Sequence, residues 1–230
     1  MSALPAEEHA PGSLLLGEIR EQPAALERLL EHSDEYAAVA AVARDRGLNL
    51  VRMVGHGSSD NAASYGVYAF GLLPRWTALR DSISLSVYYG AETDLSGSCI
   101  VALSQSGETP DVLAYVERAR ARGALTIAIT NDTNSALGEA AELVLPLAAG
   151  EERSIAATKT YTTQVAALAL LAAHEIADAG FYAAVPTPAV TLLSPLLSVV
   201  PGQLLAWALA QAKGLDPDRP TGLSKITHAL

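Results

Sequence analysis

The first 47 residues carry a helical pattern of hydrophobic positions. Apolar side chains recur at three- and four-residue spacing over 13–31, with Pro23 in the middle, which predicts two short helices or one helix kinked at the proline. A further helix is expected over about 35–46 and ends near Gly47. Together these segments predict an N-terminal helical region that covers residues 1–47.

From residue 48 onward, short apolar runs alternate with helical segments. The apolar runs predict β-strands at 48–54, 77–80, 99–103, 124–129 and 143–147. Helices are expected between and after them, at about 60–73, 109–122, 135–141 and 158–178. Residues 82–89 fit either a strand or a helix capped by Asp81. Strands that alternate with helices predict an α/β fold with a doubly wound parallel sheet in three layers.

Beyond Gly180 the pattern is interrupted by prolines. Four of them are expected to break the chain into short pieces: Pro186, Pro188, Pro195 and Pro201. One helix is predicted over about 201–213, and the tail 214–230 is predicted as loop and turn. About 50 residues follow the long helix, whereas a five-strand α/β unit needs on the order of 130–150 residues. A second complete domain is therefore not expected.

Composition and charge narrow the class of partner. The chain has a formal net charge of −10 and no cluster of lysine and arginine, which argues against a nucleic-acid surface. A single phosphate group is still compatible, because backbone N–H groups and hydroxyls can bind it. The lone Cys99 excludes an internal disulfide, and no signal peptide or membrane-spanning run is evident. A soluble, cytoplasmic chain without membrane association is expected.

Two loops rich in small hydroxyl residues follow predicted strands. One is Gly57-Ser58-Ser59, and the other is Ser104-Gln105-Ser106-Gly107-Glu108-Thr109. Ligands of open parallel sheets bind outside the carboxyl ends of the strands, where helix N-termini present free N–H groups. The pair of loops therefore indicates a site for a phosphate group. The alternative interpretation is that these hydroxyls only cap the helices that follow.

Several motifs together resemble the sugar isomerase (SIS) domain family, and more narrowly the isomerase half of glucosamine-6-phosphate synthase and its stand-alone relatives. These motifs are the two hydroxyl-rich loops, the run Ala157–Gln164, the early segment Glu18–Pro23 and the C-terminal segments 201–206, 214–220 and 223–225. The resemblance implies a flavodoxin-like SIS domain over 48–180. It also implies that 181–230 is the remnant of a second SIS domain with a C-terminal tail.

The resemblance further implies a sugar-phosphate site. The residues expected to hold or surround the phosphosugar are Gly57, Ser58, Ser59, Ser104, Gln105, Ser106, Thr109 and Ile155. Lys225 would correspond to the family's C-terminal lysine, which assists ring opening or proton transfer. His56, which precedes the first loop, is a further candidate for a catalytic role. No metal site and no cofactor are expected.

One departure from the family pattern bears on catalysis. The family's second SIS copy supplies a glutamate that moves the proton between C1 and C2, and a histidine for ring opening. The corresponding stretch here, 178–195, contains neither residue type. An aldose–ketose isomerisation needs a base with a pKa near 7, placed over the C1–C2 bond. The candidates that remain near the predicted site are Glu108, Glu151, Glu152, His56 and Lys225.

Three functions are compatible with these features. The first is a sugar-phosphate isomerase or deaminase that acts on fructose-6-phosphate or glucosamine-6-phosphate, assembled as a homodimer through the apolar helix at 158–178. The second is a phosphosugar-binding protein without catalysis, and the third is a shortened scaffold that lacks the catalytic glutamate. Glutaminase activity is not expected, because Met1-Ser2 begins the chain and Cys99 lies in a predicted strand.

Overall fold

A five-stranded parallel sheet forms the centre of the computed structural model, which describes residues 10–175 and 188–222. The strands are β1 (Leu50–Val54), β2 (Thr77–Arg80), β3 (Cys99–Ser104), β4 (Leu125–Thr130) and β5 (Leu143–Pro146). Their order across the sheet is β2-β1-β3-β4-β5, and every neighbouring pair is parallel. The predicted α/β class and the predicted strands are confirmed.

Helices cover the sheet in the described part of the chain. They are α1 (Ser13–Glu31), α2 (Ser33–Asp45), α3 (Ser58–Leu72), α4 (Ile83–Val87), α5 (Pro110–Ala121), α6 (Ala136–Ala140), α7 (Lys159–His174) and α8 (Pro188–Ala212). The 13–31 segment is a single helix that contains Pro23. Helix α4 shows that the ambiguous 82–89 segment is helical rather than extended.

Apolar side chains pack in two layers, one on each face of the sheet. Strand β3 shows the division, because successive side chains of a strand point to opposite faces. Val101 and Leu103 join the cluster formed with α2, α3 and α7. Ile100 and Ala102 join the cluster formed with α5. Every residue of β3 is buried, as is typical of a strand covered on both faces.

The prediction that prolines break the chain after Gly180 is wrong for α8. Pro195 and Pro201 both lie inside this continuous helix of 25 residues, whereas Pro186 lies outside the described residues. Proline's fixed φ near −65° is compatible with a helix, but each interior proline removes one donated hydrogen bond and its ring crowds the carbonyl four residues earlier. Contacts with α1 and α7 stabilise α8, and Trp207 Nε1 donates a hydrogen bond to the carbonyl of Gly12 at 2.9 Å.

Helix α7 is a core helix, which corrects the expectation that its apolar face forms a dimer interface. It packs against α1, α2 and α3 of the same chain. Its buried apolar side chains are Val165, Ala167, Leu168, Leu171 and Ala172. Side chains that are already covered within the chain offer no apolar surface to a partner.

Helix α8, in contrast, presents apolar side chains to solvent. Leu193, Leu204, Leu205 and Leu209 are all exposed. Its segment Leu192–Ala212 is the one helix among the described residues that is long and apolar enough to cross a membrane, judged by length and composition alone. A single helix of this kind is weak evidence for a membrane span. The cytoplasmic location and the lack of membrane association stay predictions.

Candidate functional site

The two hydroxyl-rich loops meet where the chain changes direction across the sheet. Strand β1 is followed by β2 on one side, and the chain then crosses to β3 on the other side of β1. The loop after β1 and the loop after β3 therefore flank one crevice at the carboxyl edge of the sheet. Open parallel sheets bind their ligands in the crevice at such a switch point.

Gly55 brings the two loops into contact. A Cβ atom added at Gly55 would lie 2.9 Å from Cβ of Ser59 and 3.1 Å from the carbonyl oxygen of Leu103. Ser59 and the end of β3 therefore both pack against the bare backbone of Gly55. The structure thus places Ser59 beside the start of the 104–109 loop. Gly57 is exposed and Ser58 is half-buried at the start of α3.

The serine hydroxyls of the 104–109 loop are oriented by the loop's own backbone. Ser104 Oγ accepts a hydrogen bond from the N–H of Gly107 at 3.0 Å, and Ser106 Oγ accepts one from the N–H of Glu108 at 3.2 Å. Ser104 Oγ also lies 3.3 Å from Thr109 Oγ1. Because each serine oxygen already accepts a backbone N–H, its own proton can be donated. Such a set of hydroxyl donors fits an acceptor-only group, for example a phosphate.

Helix capping does not account for these side chains. Thr109 is the N-cap residue of α5, yet its side chain makes no capping hydrogen bond. Gly57 occupies the N-cap position of α3, so no hydroxyl can cap that helix from there. The hydroxyl of Ser59 is bonded to Gln164 of α7 instead. The hydrogen bonds that Ser59, Ser104 and Ser106 accept are therefore not helix caps.

Backbone hydrogen bonds fix the outer side of the 104–109 loop. The carbonyl of Gln105 accepts from the N–H of Asn131, just after β4, at 3.2 Å. The carbonyl of Gly107 accepts from the N–H of Leu137 in α6 at 2.9 Å. The conformation of the loop is therefore set by its neighbours in the fold.

His56 is paired with the buried carboxylate of Asp111, in the first turn of α5. Its Nε2 lies 2.5 Å from Asp111 Oδ2, and Tyr88 OH donates to the same oxygen at 3.3 Å. Asp111 is only 5% exposed. Desolvation and the charge of Asp111 raise the pKa of the Tyr88 hydroxyl, so it stays a donor. Neither Asp111 nor Tyr88 is among the site residues predicted from the sequence.

A polar cavity of about 340 Å³ opens beside His56. Its charged lining consists of Asp60, Arg80, Asp81 and Asp111 in addition to His56. None of the predicted phosphosugar-binding residues lines this cavity. His56 therefore contacts α5 at Asp111, two residues after Thr109. The cavity beside His56 is not lined by the predicted phosphate-binding side chains.

A buried carboxylate shapes the loop after β5. Glu152 accepts hydrogen bonds from the N–H groups of Thr158 and Thr160 at 2.9 Å and 3.2 Å. It also accepts from both threonine hydroxyls, at 3.0 Å and 2.5 Å. Because its acceptor capacity is used at the start of α7, Glu152 acts as a structural residue here.

Helix α1 holds the same loop from the other side. Glu18 accepts hydrogen bonds from the backbone N–H and the hydroxyl of Ser154. Lys159, almost fully buried, lies 2.6 Å from Glu21 Oε2, and its hydrogen bond lowers the pKa of the Glu21 carboxyl. Ile155 is half-buried next to Ser154, so its backbone is held in place by these anchors. The early sequence motif Glu18–Pro23 thus has a structural explanation.

Asn131 connects the loop after β5 with the 104–109 loop. Its backbone N–H donates to Gln105, and its side-chain Nδ2 donates to the carbonyl of Gly150 at 2.8 Å. Its Oδ1 accepts from the N–H of Ala149 at 2.9 Å. The loop that contains Ile155 therefore shares the carboxyl edge of the sheet with the predicted phosphate loop.

Replacing Glu152 with alanine should destabilise the chain strongly. The change leaves buried N–H and hydroxyl groups of Thr158 and Thr160 unpaired, at a cost of ~1–3 kcal/mol for each group. Allowing for relaxation, we expect the free energy of unfolding to fall by about 3–5 kcal/mol, out of the ~5–15 kcal/mol typical of a domain. Urea unfolding measures this loss. The matched control is Glu151→Ala, an exposed neighbour of equal charge, and equal losses in both variants would contradict the role of Glu152.

The other side chains predicted to transfer protons do not lie together in one site. Glu108 Oε1 accepts from the N–H of Ala136 at 3.1 Å, so this carboxylate ties the loop to α6. Glu151 is exposed, and Lys225 lies outside the described residues. Within 10–175 and 188–222, no group of three or more His, Cys, Asp or Glu side chains is placed to hold a metal ion.

Sequence comparison finds one matching family. Residues 49–174 match the model of the SIS domain. Among the most similar curated relatives, the glutamine–fructose-6-phosphate aminotransferase (isomerizing) of Symbiobacterium thermophilum is 37% identical over 177 residues, which is 73% of this chain and 29% of that protein. The enzyme of the same name from Thermus thermophilus is 36% identical over 162 residues, 69% of this chain and 27% of that protein. The chain therefore spans less than a third of the length of these relatives.

Solved structures show the same architecture. A candidate phosphosugar isomerase from Silicibacter pomeroyi has 37% sequence identity and a TM-score of 0.69, and the match covers 79% of this chain and 56% of that one. The C-terminal domain of glucosamine-fructose-6-phosphate aminotransferase from Francisella tularensis has a TM-score of 0.63 at 22% identity, over 92% of this chain and 56% of that one. The second match, at lower identity, supports the fold alone.

Proposed function

The chain belongs to the SIS domain family, and from that premise we propose that it binds a sugar phosphate in the crevice between its two hydroxyl-rich loops. The residues that hold the phosphate in this proposal are Ser104, Gln105, Ser106, Thr109 and Ser59. The main support for this proposal is the direction of the hydrogen bonds that the serine hydroxyls make. Their oxygens accept N–H groups of the protein, and these bonds do not use the hydroxyl protons. Ser59 and Ser106 can therefore donate to an acceptor-only ligand, and Ser104 can donate to it or to Thr109 Oγ1.

The start of α5 supports binding of an anion without a cationic side chain. The helix begins at Pro110, directly after Thr109, so the positive end of its dipole lies at the 104–109 loop. No lysine or arginine occurs in either hydroxyl-rich loop. Hydroxyls and backbone N–H groups therefore supply the recognition, which suits a single phosphate in a chain of net charge −10.

Titration of the purified chain with glucosamine-6-phosphate and with glucosamine tests the proposal. Because the hydroxyl donors recognise the phosphate, we expect saturable binding of the phosphorylated sugar and at least about a hundredfold weaker binding of the free sugar. Isothermal titration calorimetry measures both affinities. Equal affinity for the two sugars would show that the phosphate is not the recognised group.

The finer part of the proposal concerns the ligand and the reaction. The names of the relatives include fructose-6-phosphate and an isomerising activity. We propose that this chain is a sugar-phosphate isomerase or deaminase and that its substrate is fructose-6-phosphate or glucosamine-6-phosphate. His56 and Lys225 are the groups proposed to move protons. In the tautomer with the proton on Nε2, His56 donates to Asp111 Oδ2, and Nδ1 is the nitrogen that can accept a proton.

The second candidate is a phosphosugar-binding protein without catalysis. It is favoured because the nearby glutamates already accept hydrogen bonds from the protein. Glu108 and Glu152 are both used in hydrogen bonds that hold the loops. His56 opens into a cavity that the predicted phosphate-binding side chains do not line. Conversion of fructose-6-phosphate or glucosamine-6-phosphate that is lost in His56→Ala would establish the enzyme. Tight binding of both sugars without conversion would establish the second candidate.

Assembly as a homodimer is also part of the proposal. Because α7 is largely buried in the core, the proposed dimer surface is on α8. The exposed leucines there are Leu204, Leu205 and Leu209. Sedimentation equilibrium should give twice the mass of the 23.9 kDa chain. A mass of one chain at micromolar concentration would contradict a stable dimer.

A further inference from the structure

Gln164 of α7 is a buried amide with an unusual hydrogen-bonding state. Its side chain is 1% exposed, and its Nε2 donates to Ser59 Oγ at 2.9 Å. Its Oε1 has no hydrogen-bond partner in the part of the chain that the structure describes. A buried polar atom without a partner costs ~1–3 kcal/mol, so stability alone does not explain an amide at this position.

The orientation of this amide decides what the Ser59 hydroxyl can do. With Nε2 toward Ser59, the serine oxygen accepts a hydrogen bond and the serine proton can be donated elsewhere. In the reversed orientation, Oε1 would take the serine proton, and the amide N–H groups would be buried facing away from Ser59. The first orientation is favoured, because buried N–H groups without partners are rarer in proteins than under-satisfied carbonyl oxygens.

Ser59 thereby matches the two serines of the neighbouring loop. Ser104 Oγ and Ser106 Oγ each accept a backbone N–H from within the 104–109 loop. Within residues 10–175 and 188–222, no backbone N–H donates to Ser59 Oγ, and the donor comes instead from a helix 105 residues further along the chain. The oxygen of each of the three hydroxyls then accepts an N–H of the protein, and none of these three bonds uses the hydroxyl proton.

We infer that Gln164 is a positioning residue that fixes the Ser59 hydroxyl as a hydrogen-bond donor to the ligand phosphate. The inference rests on the proposed phosphosugar site and adds to it a residue that does not touch the ligand. It also gives a role to the last residue of the Ala157–Gln164 motif, beyond the structural contacts of Thr158, Lys159 and Thr160.

A double-mutant cycle on the affinity for glucosamine-6-phosphate tests this inference. Ser59→Ala and Gln164→Met should each lower the affinity about tenfold, as expected for one weakened hydrogen bond to a charged group. Because Gln164 acts through Ser59, the double variant should bind as Ser59→Ala does. Single effects that multiply to about a hundredfold in the double variant would overturn the inference, since Gln164 would then act independently.

Gln164→Glu is the second variant, with nearly the same shape and the opposite hydrogen-bonding polarity. Burial favours the protonated carboxyl, so the titration is done at a pH high enough to ionise it. The carboxylate then accepts the Ser59 proton, and the affinity should fall at least as far as in Ser59→Ala. Wild-type affinity of a folded, ionised Gln164→Glu variant would overturn the inference. Circular dichroism confirms folding, and either Gln164 variant suffices if the other does not fold.

The same titrations separate this inference from the proposed function. If Ser104→Ala/Thr109→Ala abolishes binding while both Gln164 variants keep the wild-type affinity, only the role of Gln164 is wrong. If the wild-type chain does not bind glucosamine-6-phosphate, or the Ser104/Thr109 variant binds unchanged, the proposed function is wrong and the inference is wrong with it.

Discussion

Replacing Gly107 with alanine should lower phosphosugar affinity by about a hundredfold or more, equivalent to ~3 kcal/mol. A Cβ atom at this position would lie 1.8 Å from Ser135 Oγ and 2.3 Å from Ser135 Cβ, far inside van der Waals contact. Gly107 also has a φ of 71°, which L side chains rarely adopt. Ser135 has little room to move, because it is buried and its hydroxyl donates to the carbonyl of Asp132 at 2.6 Å.

The 104–109 loop must therefore change conformation in Gly107→Ala. The N–H of Gly107 would no longer be directed at Ser104 Oγ, and the polarity of that hydroxyl would be lost. Calorimetric titration with glucosamine-6-phosphate measures the effect.

The matched control is Gly123→Ala at the end of α5. Gly123 has a similar φ of 79°, but nothing lies within 4 Å of the position its Cβ would take. This variant should cost about 1–2 kcal/mol of stability from its backbone strain and leave the affinity unchanged. Wild-type affinity in Gly107→Ala would contradict the assignment of the loop.

Replacing Ser104 and Thr109 together with alanine should also weaken phosphosugar binding severely. Each lost hydrogen bond to a charged phosphate contributes on the order of 1–3 kcal/mol, so the pair predicts a loss of about 30-fold to 10⁴-fold. Ser104 is buried at the end of β3 and Thr109 is half-buried at the start of α5, so their side chains are held at the crevice. Calorimetry on the double variant gives the affinity, and thermal unfolding shows whether the fold is kept.

Thr93→Ala/Ser96→Ala is the matched control for that double variant. Both residues are exposed and precede β3, at the opposite edge of the sheet from the crevice. The control removes the same two kinds of hydroxyl and should bind phosphosugar as the wild type does. A comparable loss in both double variants would mean that the hydroxyls at the crevice have no special role.

Local signals explain why the sheet and the loops are predictable from the sequence. Strands β3 and β4 are mostly apolar and buried along their whole length because both of their faces are covered by helices. The 104–109 loop follows β3 directly, so its place at the carboxyl edge of the sheet follows from the direction of the strand alone. The carboxyl edge of the sheet is therefore predictable from the sequence, whereas the crevice between the two loops depends on β1 and β3 being neighbours in the sheet.

Contacts between distant residues explain what the sequence did not reveal. Asp111 lies 55 residues from His56, and Gln164 lies 105 residues from Ser59. Neither pair has a local pattern, because the pairs form only when β1 and β3 become neighbours and α7 packs on α3. Gln164 gave no such signal, because it closes the polar first part of α7, where Lys159, Thr160, Thr162 and Thr163 are also buried.

Helices α7 and α8 show that the sequence also does not predict which apolar helix is covered by other elements. Both contain long apolar runs, yet α7 is largely buried against α1, α2, α3 and α8, whereas α8 exposes several leucines. Hydrophobic pattern gives the apolar face of a helix but not the element that covers it. The prolines of α8 predict breaks because an interior proline loses a hydrogen bond and crowds the preceding turn, yet the helix continues through Pro195 and Pro201.

A crystal structure of the chain with glucosamine-6-phosphate tests the central claim most directly. We expect the phosphate in the crevice between the two loops, with its oxygens within about 3.2 Å of the hydroxyls of Ser104, Ser106 and Thr109. The hydroxyl of Ser59 should lie beside them, still bonded to Gln164. A phosphosugar bound with its phosphate away from the 104–109 loop, for example in the cavity beside His56, would contradict the claim.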